Sequence, residues 1–420
     1  MADKVLNLLV EHDVLGKPLA FPCDFDLTNP IHPAFDPTRF PDVSPEMIEI
    51  LQPALRLASR FLEIHEGKEF WVRLALGEFT KDSISGKQYL FFSDNPLDPR
   101  HLARTDAILR ETAQYVNYGL GNGFPFYLYS HVEGITMKRE SSSCIGKYPS
   151  FLQPQFRDAW KHTWNVEINS QYRLYLAKYI LVAPKDASDD KTSDVDSSDD
   201  DASEKDTAED NTSKDGMSED KSLRFGPNYN PAELGRVLFQ FAILLVHEFA
   251  HVVECIRHSF FLDPDAPLLL YHAKSDLFPE MGYKWEKGLF AGRFTASGLD
   301  DMVPIAGVFQ APWKYVQFDQ STDMVVLRRA EAQRAVPMSW IQRCFQDDFW
   351  NLVPVIGWHR AREFEDTLFA TVSSAGMQTY HPAGEKIHNL PSRPQRQNLE
   401  KPSRTYMCGN SFFPVEEEDK

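Results

Sequence analysis

Two histidines four residues apart, His247 and His251, bracket a glutamate in the pentapeptide His247-Glu248-Phe249-Ala250-His251. On a helix, positions four apart lie about 40° from each other on one face. Both imidazoles can therefore reach a single metal ion, and paired imidazoles favour zinc over a harder cation. A carboxylate beside the first histidine, here Glu248, fits a general base acting on a water at that metal. The apolar neighbours Leu244, Leu245, Phe249, Ala250, Val252 and Val253 would bury the helix and keep bulk water away.

A catalytic zinc takes three protein ligands and leaves one position open. A metzincin-type third histidine is absent, because Arg257 stands at its place. His258 lies roughly 10 Å up a straight helix from His251, too far to share the ion. Glu254 and His258 continue the histidine stripe and are read as polar neighbours of the ligands. The third ligand is sought downstream in SDLFPEMGYKWEKGLFAGR, residues 275 to 293, read as a helix starting near Ser275 and closing at Gly292. Its glutamates, Glu280 and Glu286, fall 29 and 35 residues beyond His251. Six residues on a helix turn about 240°, so the two cannot face the metal together. Glu280 is taken as the ligand, with Gly282 beside it permitting close approach. Glu286 is the alternative ligand or the partner of a ligand. Tyr283, His272, Tyr380 and His381 have the chemistry to steady an oxyanion.

This layout resembles the gluzincin branch of the zinc metallopeptidases, in which one helix carries HExxH and a second supplies a glutamate. It also resembles fungal HExxH proteins with a later E-x-G-[YF]-x-x-E…F-x-G segment, here Glu280-Met281-Gly282-Tyr283-Lys284-Trp285-Glu286 and Phe290-Ala291-Gly292. The resemblance spans residues 246 to 293. It implies one Zn2+ per chain on His247, His251 and a glutamate, Glu248 as general base, and a peptide or protein substrate. The alternative is a non-catalytic zincin-like protein with a structural or interaction role.

The elements that must position these groups are written around them. Asn230 as cap, Pro231 at the first turn and Glu233 three residues after the cap start a helix. Leu234, Val237, Leu238, Phe241 and Leu245 carry it forward at helical spacing. Upstream, a helix opens at Ser44-Pro45, a strand pair is expected over 70–79 and 87–93 with a turn at 82–86, and further helices over 102–118 and 166–182. Downstream, residues 294 to 318 suggest strands or an extended lid. A helix is expected over 338–350 and another over 360–369.

The fold class expected is α+β and mainly helical. An N-terminal α+β part (1–183) with a small sheet would pack on a helical zinc-binding part (223–380), with the sheet forming the upper wall of the cleft. Residues 184–222 separate the two. The stretch 185–222 holds 15 Asp and Glu against 5 Lys, ten of the chain's 17 net negative charges. So few hydrophobes cannot offset the ordering entropy, and a disordered acidic insertion is expected there. Its Ser193, Ser197, Ser198 and Ser203 each precede an acidic residue by three, a pattern suited to an acidophilic kinase. Residues 381–420 read as a mostly disordered tail.

The acidic balance argues against nucleic acid as a partner, since phosphate binding needs the opposite sign. Five cysteines, odd in number and without a CxxC, fit a reducing compartment. No basic, apolar leader opens the sequence, and the run from Val237 to Val246 is about half a membrane span. An intracellular protein, cytoplasmic or nuclear and off the membrane, is the expectation.

Overall fold

A computed structural model describes residues 2–16, 25–121, 134–140, 162–180, 230–258, 270–276, 280–296, 304–312, 316–319, 324–327, 332–364, 368–372, 378–382, 407–408 and 411–412. The acidic stretch 184–222 and most of 383–420 lie outside them. Helices hold more of the described residues than strands do, and the strands form small sheets, so the fold is mixed α and β.

The helices are α1 (Ala2–Glu11), α2 (Pro45–Glu63), α3 (Lys68–Leu76), α4 (Pro99–Thr112), α5 (Ser170–Leu176), α6 (Pro231–His258), α7 (Met281–Phe290), α8 (Met338–Cys344), α9 (Asp347–Ile356) and α10 (Trp358–Ala361). The strands that matter below are β1 (Glu78–Lys81), β2 (Gln88–Phe91), β3 (Val116–Leu120), β4 (Gly134–Glu140), β5 (His162–Ile168), β6 (Leu270–Tyr271), β7 (Gly292–Ala296) and β8 (Val308–Pro312).

α6 is the axis of the molecule. Its start is the one the sequence spells, with Asn230 Oδ1 accepting from Glu233 N at 3.2 Å and Pro231 at the first position. Its apolar residues run round every face, from Leu234 and Val237 to Val253 and Ile256, and all are buried. A helix apolar all round is stable only when enclosed, and α2, α3, α4, α7, α8 and β4 pack around this one. By length and hydropathy α6 could cross a membrane, but its apolar window is entirely buried within the protein. One charge sits deep in its first half. Arg236 donates to the carbonyls of Val14, Leu15, Pro304 and Ile305, so the guanidinium is satisfied by backbone.

Three small sheets flank the axis. In the first, β2 pairs with β1 antiparallel and with β6 parallel. In the second, of order β3-β5-β4, the edge strand β4 lies against α6. The third has five strands and begins at β7, directly after α7.

Several segments differ from the sequence reading. The strand expected over 70–79 is mostly helix, its residues 70–76 lying in α3, because Phe70, Trp71, Leu74 and Ala75 bury one helical face and only Glu78 onward extends. The turn at 82–86 stands as read, with Gly86 in the left-handed region at φ 71°. α4 stops at Thr112 and the chain extends as β3, since Val116, Tyr118 and Leu120 pair with β5. The expected helix over 166–182 is instead the end of β5 followed by α5, with the Asn169 side chain capping at Gln171 N. The helix over 338–350 is two, α8 and α9, and the segment 360–369 ends α10 and begins a strand at Leu368. In each case β-branched and aromatic residues fit both periods, and tertiary pairing decides between them.

Candidate metal centre

α7 explains how the third carboxylate arrives. The sequence places its start near Ser275, but the helix begins at Met281 with Glu280 as N-cap, in extended backbone. One oxygen of Glu280, Oε2, accepts the Tyr283 backbone N–H, and the other, Oε1, faces the two imidazoles. The cap therefore fixes the carboxylate and also offsets the exposed N–H groups of the first turn, a contribution of about 1 kcal/mol.

His247 Nε2 lies 3.2 Å and His251 Nε2 2.5 Å from Glu280 Oε1. One donor atom each from His247, His251 and Glu280 falls within 4.8 Å of the others, and all three residues are buried. Donors at about 2.0–2.2 Å from one tetrahedral ion stand about 3.3 Å apart, so small shifts would seat the three around an ion.

The opposite edge of each ring is held by a further carboxylate. His247 Nδ1 is 2.7 Å from Glu286 Oε1, and Glu286 Oε2 accepts from Phe294 N. His251 Nδ1 is 3.3 Å from Glu254 Oε2. With Nδ1–H donated to a carboxylate, each imidazole turns Nε2 towards Glu280 Oε1, the arrangement that orients metal-binding histidines. Glu280 thus converges with the two Nε2 atoms, while Glu286 and Glu254 hold the rings from behind.

Gly282 is essential to this approach. A Cβ there would fall 2.3–2.5 Å from the His247 ring atoms, so α7 reaches the imidazole only through a residue without one.

Electrostatics follow from this geometry. Burial alone would push the imidazole pKa values down. For His247 the carboxylates of Glu280 and Glu286 reverse that and lift it to about 10. His251 is raised well above its ordinary value by Glu280, Glu254 and Glu248. Burial works on Glu280 in the other direction, but its two imidazole partners hold it well below the carboxylate range.

Glu248 is fully buried. Its Oε2 accepts a 2.7 Å hydrogen bond from Thr136 Oγ1 on β4, while Oε1 has no partner. His247 Nε2 is likewise without a hydrogen bond. Both atoms belong to the cluster itself, where a bound ligand would satisfy them. Together with the donor set and the glycine-cleared approach, they fit a divalent cation and a water.

The candidate oxyanion groups separate. Tyr283 joins the cluster, its ring edge-on to His247 at 4.9 Å between centroids with the Arg293 guanidinium 4.5 Å from its own centroid. His272 does not present its N–H there. Nε2–H donates to Phe70 O at 3.2 Å and the ring stacks on Phe70. Tyr380 packs on Phe309 in a second, smaller apolar cluster with Leu9 and Val14. Thr136 was invisible to sequence reasoning, since nothing local marks a strand threonine 112 residues from its partner.

Comparison of the chain with protein-family models, with curated proteins and with solved structures finds no match.

Proposed function

We propose that the protein is a zinc-dependent metallopeptidase of zincin-like build. The observation that carries this reading is the convergence of His247 Nε2, His251 Nε2 and Glu280 Oε1, with each Nδ1 tied to its own carboxylate. A simple core helix would have no need of four buried carboxylates, Glu248, Glu254, Glu280 and Glu286, around two histidines.

His247, His251 and Glu280 would hold the ion. Bound there, zinc supplies Lewis acidity towards a carbonyl oxygen and brings the pKa of a water towards 7. Glu248, fixed through Oε2 by Thr136, takes the proton of the attacking water on Oε1 and passes it to the leaving amine. Glu254 and Glu286 keep the rings in register. Tyr283, whose ring lies edge-on to His247, would steady charge on the substrate. Peptide or protein amide bonds are the substrate class this chemistry serves.

Elemental analysis of purified protein, alongside His251→Ala and Glu248→Gln, tests the proposal. We expect one zinc per chain in the wild type, near none in His251→Ala, and full zinc without peptide hydrolysis in Glu248→Gln. Absence of zinc from the wild type even after reconstitution sinks the reading. Zinc retained with no hydrolysis of any peptide library would leave a non-catalytic zincin-like protein instead.

A further inference from the structure

A cavity of about 240 Å³ opens where α2 and α4 meet the segment carrying His32. Its floor is apolar and its rim is charged. Leu62 and Leu109, each 1% exposed, form the floor together with the imidazole of His32, which is 6% exposed. His32 Nδ1 accepts the Ala34 N–H at 3.1 Å, so the ring proton sits on Nε2. Among the described residues the His32 side chain has no hydrogen bond besides that at Nδ1, and the ring lines the cavity. The residue is more than nine-tenths buried and keeps a ring N–H for a ligand in the cavity it lines.

The rim is amphoteric. Lys68 Nζ pairs with Asp106 Oδ1 at 3.0 Å, which leaves two of its protons free. Arg110 and Glu63, one cation and one anion, are exposed and make no ion pair recorded among the described residues. Burial holds the His32 pKa down at about 4, with Arg110 and Lys68 acting in the same direction, so its ring is a neutral donor and no third cation. Burial raises the Glu63 carboxyl while Lys68, Arg110 and Arg60 pull it back, which places these groups within electrostatic reach of one another.

From this lining we infer a binding site for a free α-amino acid with an apolar side chain. Arg110, Lys68 and His32 Nε2–H receive its carboxylate, Glu63 receives its ammonium, and Leu62 and Leu109 take its side chain. The volume suits a small molecule. A phosphate dianion would meet Glu63 and Asp106, and a simple amine would meet Lys68 and Arg110. A zwitterion satisfies both signs. The site is distinct from the metal centre, though the His32 ring packs edge-on to Phe249 of the HExxH stretch at 6.5 Å. It does not depend on what that centre does.

Isothermal titration of the full-length protein with L-leucine tests it, with 4-methylpentanoate, isoamylamine and inorganic phosphate as single-charge probes. We expect saturable leucine binding at roughly millimolar or better, at least about tenfold weaker binding of either organic half-ligand, and about tenfold loss in Arg110→Gln and in Glu63→Gln. Both substitutions sit on the exposed rim, and circular dichroism will show that they fold. Binding in His247→Ala should equal wild type, which separates this site from the metal centre. No saturable heat with leucine up to about 10 mM, binding indifferent to both rim substitutions, or phosphate binding as tightly as leucine would each overturn the proposal. The first outcome would make the rim a solvated charge cluster only, and the last a simple anion site.

Discussion

His247 and His251 on one side, and His32 and His272 on another, are equally buried, yet their environments drive them to opposite charge states. All four rings are between 4% and 6% exposed. The first pair meets Glu280, Glu286 and Glu254, and its pKa values rise, to about 10 at His247. The second pair meets Ala34 N–H in one case and Phe70 C=O in the other, and burial takes them down to about 4 and about 3. Burial therefore does not mark a functional histidine. The partners at both ring nitrogens do, because a ring with one carboxylate behind Nδ1 and another group converging on Nε2 is prepared for a cation.

The sharpest way to break the comparison is to truncate one ring from each pair. His251→Ala should lose essentially all zinc and all hydrolysis, while His272→Gln should keep one zinc per chain and its activity. Elemental analysis and a peptide-library assay on the two proteins read both outcomes. Equal zinc loss in His272→Gln would show that the metal responds to general destabilisation and not to its ligands.

Next in size is the carboxylate behind the ring. Glu286→Gln keeps the shape but replaces the ionised acceptor of the His247 Nδ1–H. Zinc affinity should fall about 10–100-fold, as for other partners of metal-bound histidines, with smaller loss for Glu254→Gln at its longer 3.3 Å contact. Competition with a chromogenic chelator measures both. If Glu286→Gln abolishes zinc as fully as His251→Ala, Glu286 is itself a ligand.

This division of labour shows how far the sequence could be read. HExxH spacing and the α6 cap were legible because both are local: a face of a helix and a Ser/Asn-Pro-x-Glu type start depend on residues within one or two turns. The pairing of Glu280 with a helix start was not, because the aromatic run 283–290 extends the helical period upstream past Glu280, whose own backbone is extended. α3 was read as strand and the end of β5 as helix since Phe, Trp and Val satisfy either period, and the strands that pair with β5 lie 22 to 48 residues before it. His272 and Tyr380 looked as eligible as Tyr283 by chemistry alone. Only the third dimension shows that Phe70 O already holds the His272 proton.

The comparison also predicts opposite pH slopes. His32 and His272 have folded pKa values below the ordinary 6.5, so the unfolded chain binds more protons. Their stabilising contribution is fully present above about pH 6.5 and is lost as pH falls towards 4 and 3. At pH 5 each should lower stability by about 2 kcal/mol relative to pH 7. In urea unfolding, His272→Gln should remove about half of that pH 7-to-5 difference. The ligand histidines of chelator-treated protein have the reverse sign. Their raised pKa values stabilise below pH 6.5, and that stability is lost as pH rises towards 10. A His272→Gln slope identical to wild type would show that its ring binds protons in the fold as it does in the unfolded chain.

The smallest expected effect falls on Thr136, which touches neither ring. Its hydroxyl donates to Glu248 Oε2 at 2.7 Å from the edge strand β4 and leaves Oε1 as the unpartnered oxygen. Thr136→Val keeps the volume, removes the donor and frees the carboxylate to rotate. One net hydrogen bond to a charged group is worth about 1.5 kcal/mol, so kcat should fall about tenfold with zinc content unchanged. A fall in KM or in zinc would point to a packing role for the strand. Thr136→Ser separates the two accounts: the hydroxyl returns without the methyl, so kcat should recover if orientation of the base is what matters. Recovery would also show why a short edge strand is laid against the most apolar helix of the chain, where a single polar contact fixes which oxygen of Glu248 meets the water.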